Sequence, residues 1–233
     1  MQWTGAGAHV AMSLRKTIVA VSCAAVVQFV PGVAAADTSS RLAAAAETLN
    51  SLSNAADREI PADLLRKAHC VVVIPSLKSG AFIVGAEYGR GFASCRTDAG
   101  WSAPAAIKVE AGSVGFQIGG SESEVVMLIM NRKGVDRLLS TEFTLGGDAT
   151  VAAGPVGRTA QAKTDAAMTA EILSYSRSRG IFAGVALEGG TLREDDSANE
   201  DLYGTTMSNR TILAGEVPAP EGASAFLTAI KTF

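Results

Sequence analysis

The spacing of apolar residues changes along the chain, and each change predicts a different kind of element. Over residues 39–58 the apolar positions recur every three or four residues, which predicts a helix with one apolar stripe. Ser39 or Ser40 would cap its N-terminus. The stripe consists of Leu42, Ala45, Ala46, Leu49, Leu52 and Ala56. Pro61 ends this helix or opens a second one over residues 62–68.

From residue 70 onward the pattern is that of strands. Residues 70–74 are an apolar, largely β-branched run, which predicts a strand buried on both faces. Glycine and proline predict turns over residues 75–80 and at residues 111–112. Further strands are expected over residues 81–96, 101–109, 113–119, 125–130 and 149–153, and as a hairpin over 170–176 and 181–187.

Helical patterns return in the second half of the chain. Asn131 would cap a short helix over residues 131–140. The acidic residues 194–201 suit the start of a helix, where carboxylates are favoured, and residues 222–231 predict a last amphipathic helix. The expected fold class is α+β: a glycine-rich, mostly antiparallel sheet that can curl into a partial barrel, with helices at the N- and C-terminal ends.

The composition, 48% hydrophobic and 18% charged, would suit a membrane protein, but much of the apolar excess lies in residues 1–36. A basic pair at 15–16 precedes an apolar run over 17–30 and small residues up to Ala36. This order predicts a signal peptide cleaved after Ala36, with an uncleaved anchor as the alternative. Residues 37–233 would then form a single exported domain, periplasmic or secreted, and membrane-associated if it binds lipid.

The three cysteines can be interpreted in terms of the predicted export. Cys23 lies in the leader and leaves a lipid-modified form open, although the residues before it make a poor lipobox. Cys70 and Cys95 can form one disulfide in an oxidising compartment, and two buried thiols are the alternative. A simple hairpin turning near residues 76–80 would not place them opposite each other, so the bridge requires a bend in the second strand.

Charge and residue types exclude several kinds of function. Without the two cations of the leader, 18 Lys and Arg residues stand against 23 Asp and Glu residues, which argues against nucleic acid as a partner. His69 is the one histidine of residues 37–233. No Cys-x-x-Cys or phosphate-binding glycine motif accompanies it, so we predict neither an enzyme, a metal site nor a cofactor.

Basic residues in two loops are the candidate binding groups. Arg177 and Arg179 share one tight loop, and Arg158 lies in another. If these loops converge, their guanidinium groups can bind phosphate headgroups. Ordinary solvated loops are the alternative.

Short motifs in a fixed order resemble a known family. They are Val73-Ile74-Pro75, Lys78-Ser79-Gly80-Ala81-Phe82, Gly89-Arg90-Gly91, Gly100-Trp101-Ser102-Ala103-Pro104-Ala105, Ala153-Gly154-Pro155-Val156-Gly157-Arg158 and Ser174-Tyr175-Ser176-Arg177-Ser178-Arg179-Gly180. Together they resemble the SYLF domain, also called the Ysc84-like family, over about residues 40–215. The bacterial secreted members are the type that the leader suggests.

This resemblance implies lipid binding and no enzymatic activity. Eukaryotic members bind phosphoinositides through an N-terminal amphipathic helix and a basic surface, and some bind actin. The expected function is binding of phospholipid headgroups or a membrane surface, with Arg158, Arg177 and Arg179 as anionic contacts and Leu42, Leu49 and Leu52 as apolar contacts. The leucine stripe could equally pack on the domain. An envelope protein-interaction or structural module with a protein partner is the alternative.

Overall fold

The structure is a computed structural model that describes Met1 and residues 32–54, 60–82, 84–114, 119–156, 169–178, 181–185 and 187–232. Its internal contacts divide the chain into two units, Met1–Val30 and Pro31–Phe233. The description below concerns the second unit.

The second unit is built on a curled, ten-stranded sheet. The strands are β1 Cys70–Phe82, β2 Val84–Thr97, β3 Gly100–Trp101, β4 Ala105–Val114, β5 Gly119–Ile129, β6 Glu142–Thr144, β7 Val151–Ala153, β8 Ile172–Ser178, β9 Ile181–Gly184 and β10 Thr191–Glu194. Their order is β6-β10-β4-β2-β1-β5-β8-β7, with β3 paired to β2 and β9 paired to β8. All pairs are antiparallel except β7 with β8.

Along the chain, helices precede the first strand, follow the last strand and also lie between strands. They are α1 Gly32–Asn54, α2 Ala62–Lys67, α3 Arg132–Leu138, α4 Asp196–Tyr203, α5 Asn209–Leu213 and α6 Ser224–Ile230. The α+β class and the mostly antiparallel, curled sheet are therefore confirmed. The Asn131 side chain accepts a hydrogen bond from the Gly134 amide, as predicted for the cap of α3.

Apolar side chains cover both faces of the sheet. On one face, called here the α1 face, α1 and α6 pack on the sheet, and the rings of Phe92 and Phe226 meet edge to face with centroids 6.3 Å apart. On the opposite face the core includes Met127 of β5, Leu138 of α3 and Ile212 of α5. Strands in this part of the sheet are therefore buried on both sides, which explains the continuous apolar run of residues 70–74.

β1 carries one extra residue relative to both of its neighbours. Against β2 the pairing steps from Val73 opposite Phe92 to Ser76 opposite Arg90, and a matching step occurs against β5. An extra residue of this kind is a β-bulge, and it reverses the face on which the following side chains lie. Pro75 lies within the bulge, where its missing N–H leaves no ladder hydrogen bond unmade.

The bulge follows from the pattern of apolar residues in β1. Val72 and Ile74 face the core opposite α1, and beyond the bulge Leu77 faces the same core. Ser76 and Lys78 thereby reach the α1 face. Strict alternation would have buried Ser76 and Lys78 and exposed Leu77, so the bulge keeps the polar side chains out of the core.

Two glycines of β2 make room for this bulge. A Cβ on Gly91 would lie 2.0 Å from the carbonyl oxygen of Val73, and one on Gly89 would lie 2.7 Å from Cγ2 of Ile74. Any larger residue at these positions would collide with β1. The predicted bend in the second strand is therefore replaced by an extra residue in the first strand, and the second strand contributes the glycines that accommodate it.

Several predicted boundaries were wrong. Residues 75–80 continue β1, which pairs there with both β2 and β5. Residues 111–112 continue β4, which pairs there with β2. Helix α1 already begins at Gly32, so Ser39 and Ser40 lie inside it and do not cap it. β6 and β10 were not predicted at all. They are only three and four residues long, too short to show a period.

Candidate functional site

An open cleft lies where the start of α1 crosses the bulge on the α1 face. Its volume is about 450 Å³. We call it the bulge cleft, and it is lined by Asp37, Ser40, Arg41 and Ala44 of α1, Pro75, Ser76 and Lys78 of β1, Tyr88, Gly89 and Arg90 of β2, and Glu122 of β5. Three cationic and two anionic side chains thus meet around one cavity.

Arg41 is the most deeply buried charged group of the cleft. Its side chain is only 10% exposed, and Nη2 donates to Oδ2 of Asp37, one helical turn earlier. Nη1 is buried and has no hydrogen-bond partner within the described part of the chain. A buried guanidinium N–H without an acceptor is unfavourable, and the side chain that carries it belongs to the lining of the cleft.

Arg90 is held rigidly at the floor of the cleft. Its Nε and Nη2 donate to the two carboxylate oxygens of Asp195 at 2.5 and 2.9 Å, and Nη2 also donates to Ser197 Oγ at 3.2 Å. Nη1 lies 3.8 Å from Oδ2 of Asp37. The hydrogen bond to Asp195 raises the pKa of Arg90 and outweighs the opposite effect of burial. Arg90 therefore links α1, β2 and the start of α4.

Three further lining side chains form a polar row across neighbouring strands. Tyr88, Lys78 and Glu122 are lateral neighbours on β2, β1 and β5. Lys78 has no salt bridge among the described residues, and Tyr88 is 47% exposed, a high value for a large aromatic side chain. The Ser76 hydroxyl donates to Oε1 of Glu122. This row can offer both donors and acceptors to a polar ligand.

The structure places the three predicted apolar contacts in the core. Leu42, Leu49 and Leu52 are 2%, 0% and 5% exposed and pack on the α1 face of the sheet. Of the two roles left open for the stripe, packing on the domain is the one observed. In this conformation none of the three is available to a membrane, because contact with lipid would require α1 to leave the sheet.

One of the three predicted basic contacts lies in the described part of the structure. Arg177 forms an ion pair with Glu124, its neighbour across β8 and β5, and it is not among the residues that line the bulge cleft. Arg158 and Arg179 lie outside the described residues, so the convergence of the three stays a prediction.

The predicted disulfide is present. Cys70 and Cys95 are direct partners in the β1–β2 pairing and are bonded to each other. Both are buried. The two strands stay paired through residues 76–80, as far as Phe82 opposite Val84, and the bulge shifts the register so that Cys70 lies opposite Cys95.

The sequence contained signals for the bulge cleft that were interpreted differently. Gly89-Arg90-Gly91 and Lys78 belong to the family motifs, but the motifs do not show that these residues meet at one cavity. Arg41 lies on a helix, and its role depends on a sheet that lies far away along the chain. Burial of its Nη1 cannot be inferred from local spacing.

Two kinds of feature, a membrane-spanning helix and a cluster of metal ligands, are absent from the described residues. None of the helices in this part of the chain is long and apolar enough to cross a membrane. Nowhere in it do three His, Cys, Asp or Glu side chains lie close enough together to hold a metal ion.

Sequence comparisons with known proteins agree with the family resemblance of the motifs. A family model described as "Las17-binding protein actin regulator" matches residues 110–233. The matched part runs from the second half of β4 to the C-terminal helix. The chain belongs to the Ysc84 family, whose domain is also called SYLF.

Individual relatives extend the match toward the N-terminus. The rat "SH3 domain-containing YSC84-like protein 1" is 35% identical over 182 residues, which cover 77% of this chain and 53% of that protein. "Protein YSC84" of Saccharomyces cerevisiae is 34% identical over 183 residues, covering 76% of this chain and 38% of the relative. The chain therefore spans about half, or less, of the length of these curated relatives. No solved structure matches.

Proposed function

We propose that this domain binds anionic phospholipid headgroups at a membrane surface and that the bulge cleft receives the headgroup. The observation that carries the proposal is Nη1 of Arg41, a buried donor without a partner among the described residues, on a side chain that lines an open cleft. A phosphate oxygen is a strong acceptor for a guanidinium group. Lys78 adds a second cation at the exposed side of the same cleft.

The surface beside the cleft is smooth enough to approach a membrane. The next row of the same face consists of Gly112, Ala86, Gly80 and Gly120 on β4, β2, β1 and β5, all exposed. Added Cβ atoms on Gly80 and Gly112 would touch nothing within 4 Å. None of these four described residues carries a side chain longer than a methyl group, so this row itself does not obstruct a headgroup that approaches the neighbouring cleft.

Vesicle co-sedimentation of the full chain tests the proposal. We expect binding to phosphatidylcholine vesicles that contain an anionic phospholipid, weaker binding as salt increases, and a roughly tenfold loss of affinity in Arg41→Ala, of the size that a hydrogen bond to a charged group contributes. Arg66→Ala is the matched control, since Arg66 also pairs with an aspartate but is exposed on α2. Equal affinity of Arg41→Ala and the unchanged chain would refute the proposal.

A second variant keeps the test valid if Arg41→Ala does not fold. Lys78 is exposed, so Lys78→Ala should leave the melting temperature unchanged and still weaken vesicle binding severalfold. Unchanged binding of folded Lys78→Ala would count against the cleft as the headgroup site.

Export remains part of the proposal for this chain. The leader pattern predicts a mature protein that begins at Asp37, and the disulfide between Cys70 and Cys95 suits an oxidising compartment. Intact-mass measurement of the protein from its native source should give a chain of residues 37–233. A soluble cytosolic form that retains residues 1–36 would contradict export.

A protein-interaction module is the second candidate, because the family description names Las17 binding and actin regulation. Under this alternative the domain would bind a protein partner without lipid selectivity. Co-sedimentation with purified filamentous actin provides a direct test. Binding to actin that Lys78→Ala does not change, together with no binding to anionic vesicles, would favour this candidate over the cleft proposal.

A further inference from the structure

The charges around the bulge cleft nearly cancel. Arg41, Lys78 and Arg90 face the cleft together with the carboxylates of Asp37 and Glu122. The charge of Arg90 is already matched by its two-point contact with Asp195, whose side chain is 5% exposed. Once Asp195 is counted with Arg90, three cations stand against three carboxylates, so the cleft offers hydrogen-bond donors in a nearly neutral setting rather than the strongly positive field of unpaired cations.

A nearly neutral cleft selects for a ligand of low charge. The attraction of an anion to a fixed field grows in proportion to its charge. The free energy needed to remove it from water grows approximately with the square of its charge, as in the Born description. In a nearly neutral cleft a second negative charge adds little attraction, increases the desolvation penalty and brings repulsion from Asp37 and Glu122.

The number of available hydrogen-bond donors also favours a singly charged ligand. Nη1 of Arg41 is the single buried nitrogen in the described part of the cleft that lacks an acceptor. A phosphodiester has two non-bridging oxygens and one negative charge, which suits Arg41 with Lys78 beside it. The cleft volume of about 450 Å³ lies in the range of small-molecule sites, so it can hold the alcohol attached to the phosphate as well.

Groups that suit such an alcohol lie in the same cleft. Glu122 can accept hydrogen bonds from hydroxyl groups, and the exposed Tyr88 hydroxyl can donate or accept. A small polyol attached to a phosphate would use both, whereas a terminal phosphate would place its second charge toward the Glu122 carboxylate.

We propose that the bulge cleft selects a singly charged phosphodiester headgroup with a hydroxylated alcohol, of the phosphatidylglycerol type, over a doubly charged phosphate monoester. This inference rests on the proposed function. It differs from the phosphoinositide binding that the family resemblance implies, since phosphorylated inositol headgroups carry monoester phosphates.

The experiment compares two sets of vesicles with the full chain. Both sets are phosphatidylcholine, one with phosphatidylglycerol and the other with phosphatidic acid, adjusted to the same zeta potential so that bulk attraction is equal. We expect binding to phosphatidylglycerol to be about fivefold tighter. Equal or tighter binding to phosphatidic acid would overturn the inference, and absence of binding to both would instead overturn the proposed function.

Glu122→Gln tests the reason for the selectivity. A glutamine keeps the acceptor for Ser76 and removes the negative charge. Affinity for phosphatidic acid should rise and the ratio between the two lipids should fall toward one. An unchanged ratio of the two affinities would overturn the role of Glu122. Arg41→Ala should reduce the affinity for both lipids by a similar factor.

Soluble competitors separate a headgroup from free phosphate. Glycerophosphoglycerol should displace the protein from phosphatidylglycerol vesicles at lower concentration than glycerol 3-phosphate or inorganic phosphate. Displacement by inorganic phosphate at equal or lower concentration would show that the cleft binds phosphate alone, which contradicts the selection of a phosphodiester.

Discussion

Arg90 and Asp195 form a two-point ion pair that joins strand β2 to the start of helix α4. Nε and Nη2 of Arg90 lie 2.5 and 2.9 Å from the two carboxylate oxygens of Asp195. Oδ1 of Asp195 also accepts hydrogen bonds from Ser197 Oγ and from the Ala198 amide. One carboxylate therefore caps α4 and fixes the arginine at the floor of the bulge cleft.

Removal of this carboxylate should destabilise the fold. In Asp195→Ala, Arg90 loses its buried partner and α4 loses its cap, so we expect the free energy of unfolding to fall by about 2–4 kcal/mol. Denaturant titration of both chains measures the difference. Asp196→Ala is the control, because Asp196 is the exposed neighbour on the same helix and its removal should have little effect. Equal losses in both variants would contradict the assignment.

The same carboxylate makes stability depend on acidic pH. Burial raises the pKa of Asp195, but hydrogen bonds from Arg90 and Ser197 outweigh burial and hold the pKa below its ordinary value. A lowered folded-state pKa contributes stability above the unfolded pKa of about 3.9, and this contribution is lost as pH falls through the folded pKa. The stability difference between the unchanged chain and Asp195→Asn should therefore shrink below about pH 4. A difference that stays constant down to pH 2 would contradict the ion pair.

The disulfide should contribute measurably to stability. Cys70 and Cys95 are 25 residues apart in sequence, and closing such a loop is worth about 3 kcal/mol in the chain-entropy model. The double variant Cys70→Ala, Cys95→Ala should lose this amount in denaturant titration. Reductant should lower the stability of the unchanged chain to the same level and leave the double variant unaffected. Two free thiols in the oxidised, folded chain would contradict the bond.

Local patterns predicted the parts of the fold that depend on near neighbours in sequence. The stripe of α1, the cap at Asn131 and the hairpin of β8 and β9 are of this kind, since spacing and capping act over a few residues. The bulge at Pro75 and the length of β1 depend on two partner strands. Glycine and proline indicate a turn locally, and the pairing on both sides overrides that preference.

The candidate site was harder to predict from the sequence, because it too depends on contacts between elements that are distant along the chain. Arg41, Lys78 and Arg90 belong to three different elements, and only the bulge brings them to one cavity. Their types are visible in the sequence, but their burial and pairing are not. Arg177 shows the converse, because its basic loop suggested a free cation whereas cross-strand pairing places Glu124 beside it.

Gly91 should not tolerate a side chain. In Gly91→Ala the new Cβ would lie 2.0 Å from the Val73 carbonyl oxygen and 2.9 Å from Cα of Ile74, both backbone atoms of the bulge. We expect a loss of about 3 kcal/mol or failure to fold, since the backbone of β1 would have to move. Gly112→Ala is the control, because an added Cβ there meets nothing within 4 Å. Similar stability of the two variants in thermal unfolding would contradict the close approach at Gly91.

Asn199 should be essential because it closes a buried hydrogen-bonded ring between β4, α4 and α5. Its Oδ1 accepts from the Ala106 amide at 2.8 Å, its Nδ2 donates to Oδ1 of Asn209 at 2.8 Å, and Nδ2 of Asn209 donates to the Ala106 carbonyl at 3.1 Å. Asn199→Ala leaves the backbone amide of Ala106 and the side-chain oxygen Oδ1 of Asn209 buried without these partners. Unsatisfied groups of this kind cost about 1–3 kcal/mol each, and we expect a total loss of about 3 kcal/mol in denaturant titration.

Two comparisons distinguish this ring from a general effect of asparagine. Asn50→Ala alters an exposed asparagine of α1 and should leave stability unchanged or slightly raised, since alanine favours helix. Asn199→Asp keeps an acceptor for Ala106 but removes the donor to Asn209 and buries a charge, so it should lose at least as much as Asn199→Ala at neutral pH. Recovery of stability in Asn199→Asp would show that the acceptor alone matters and that the ring through Asn209 contributes nothing.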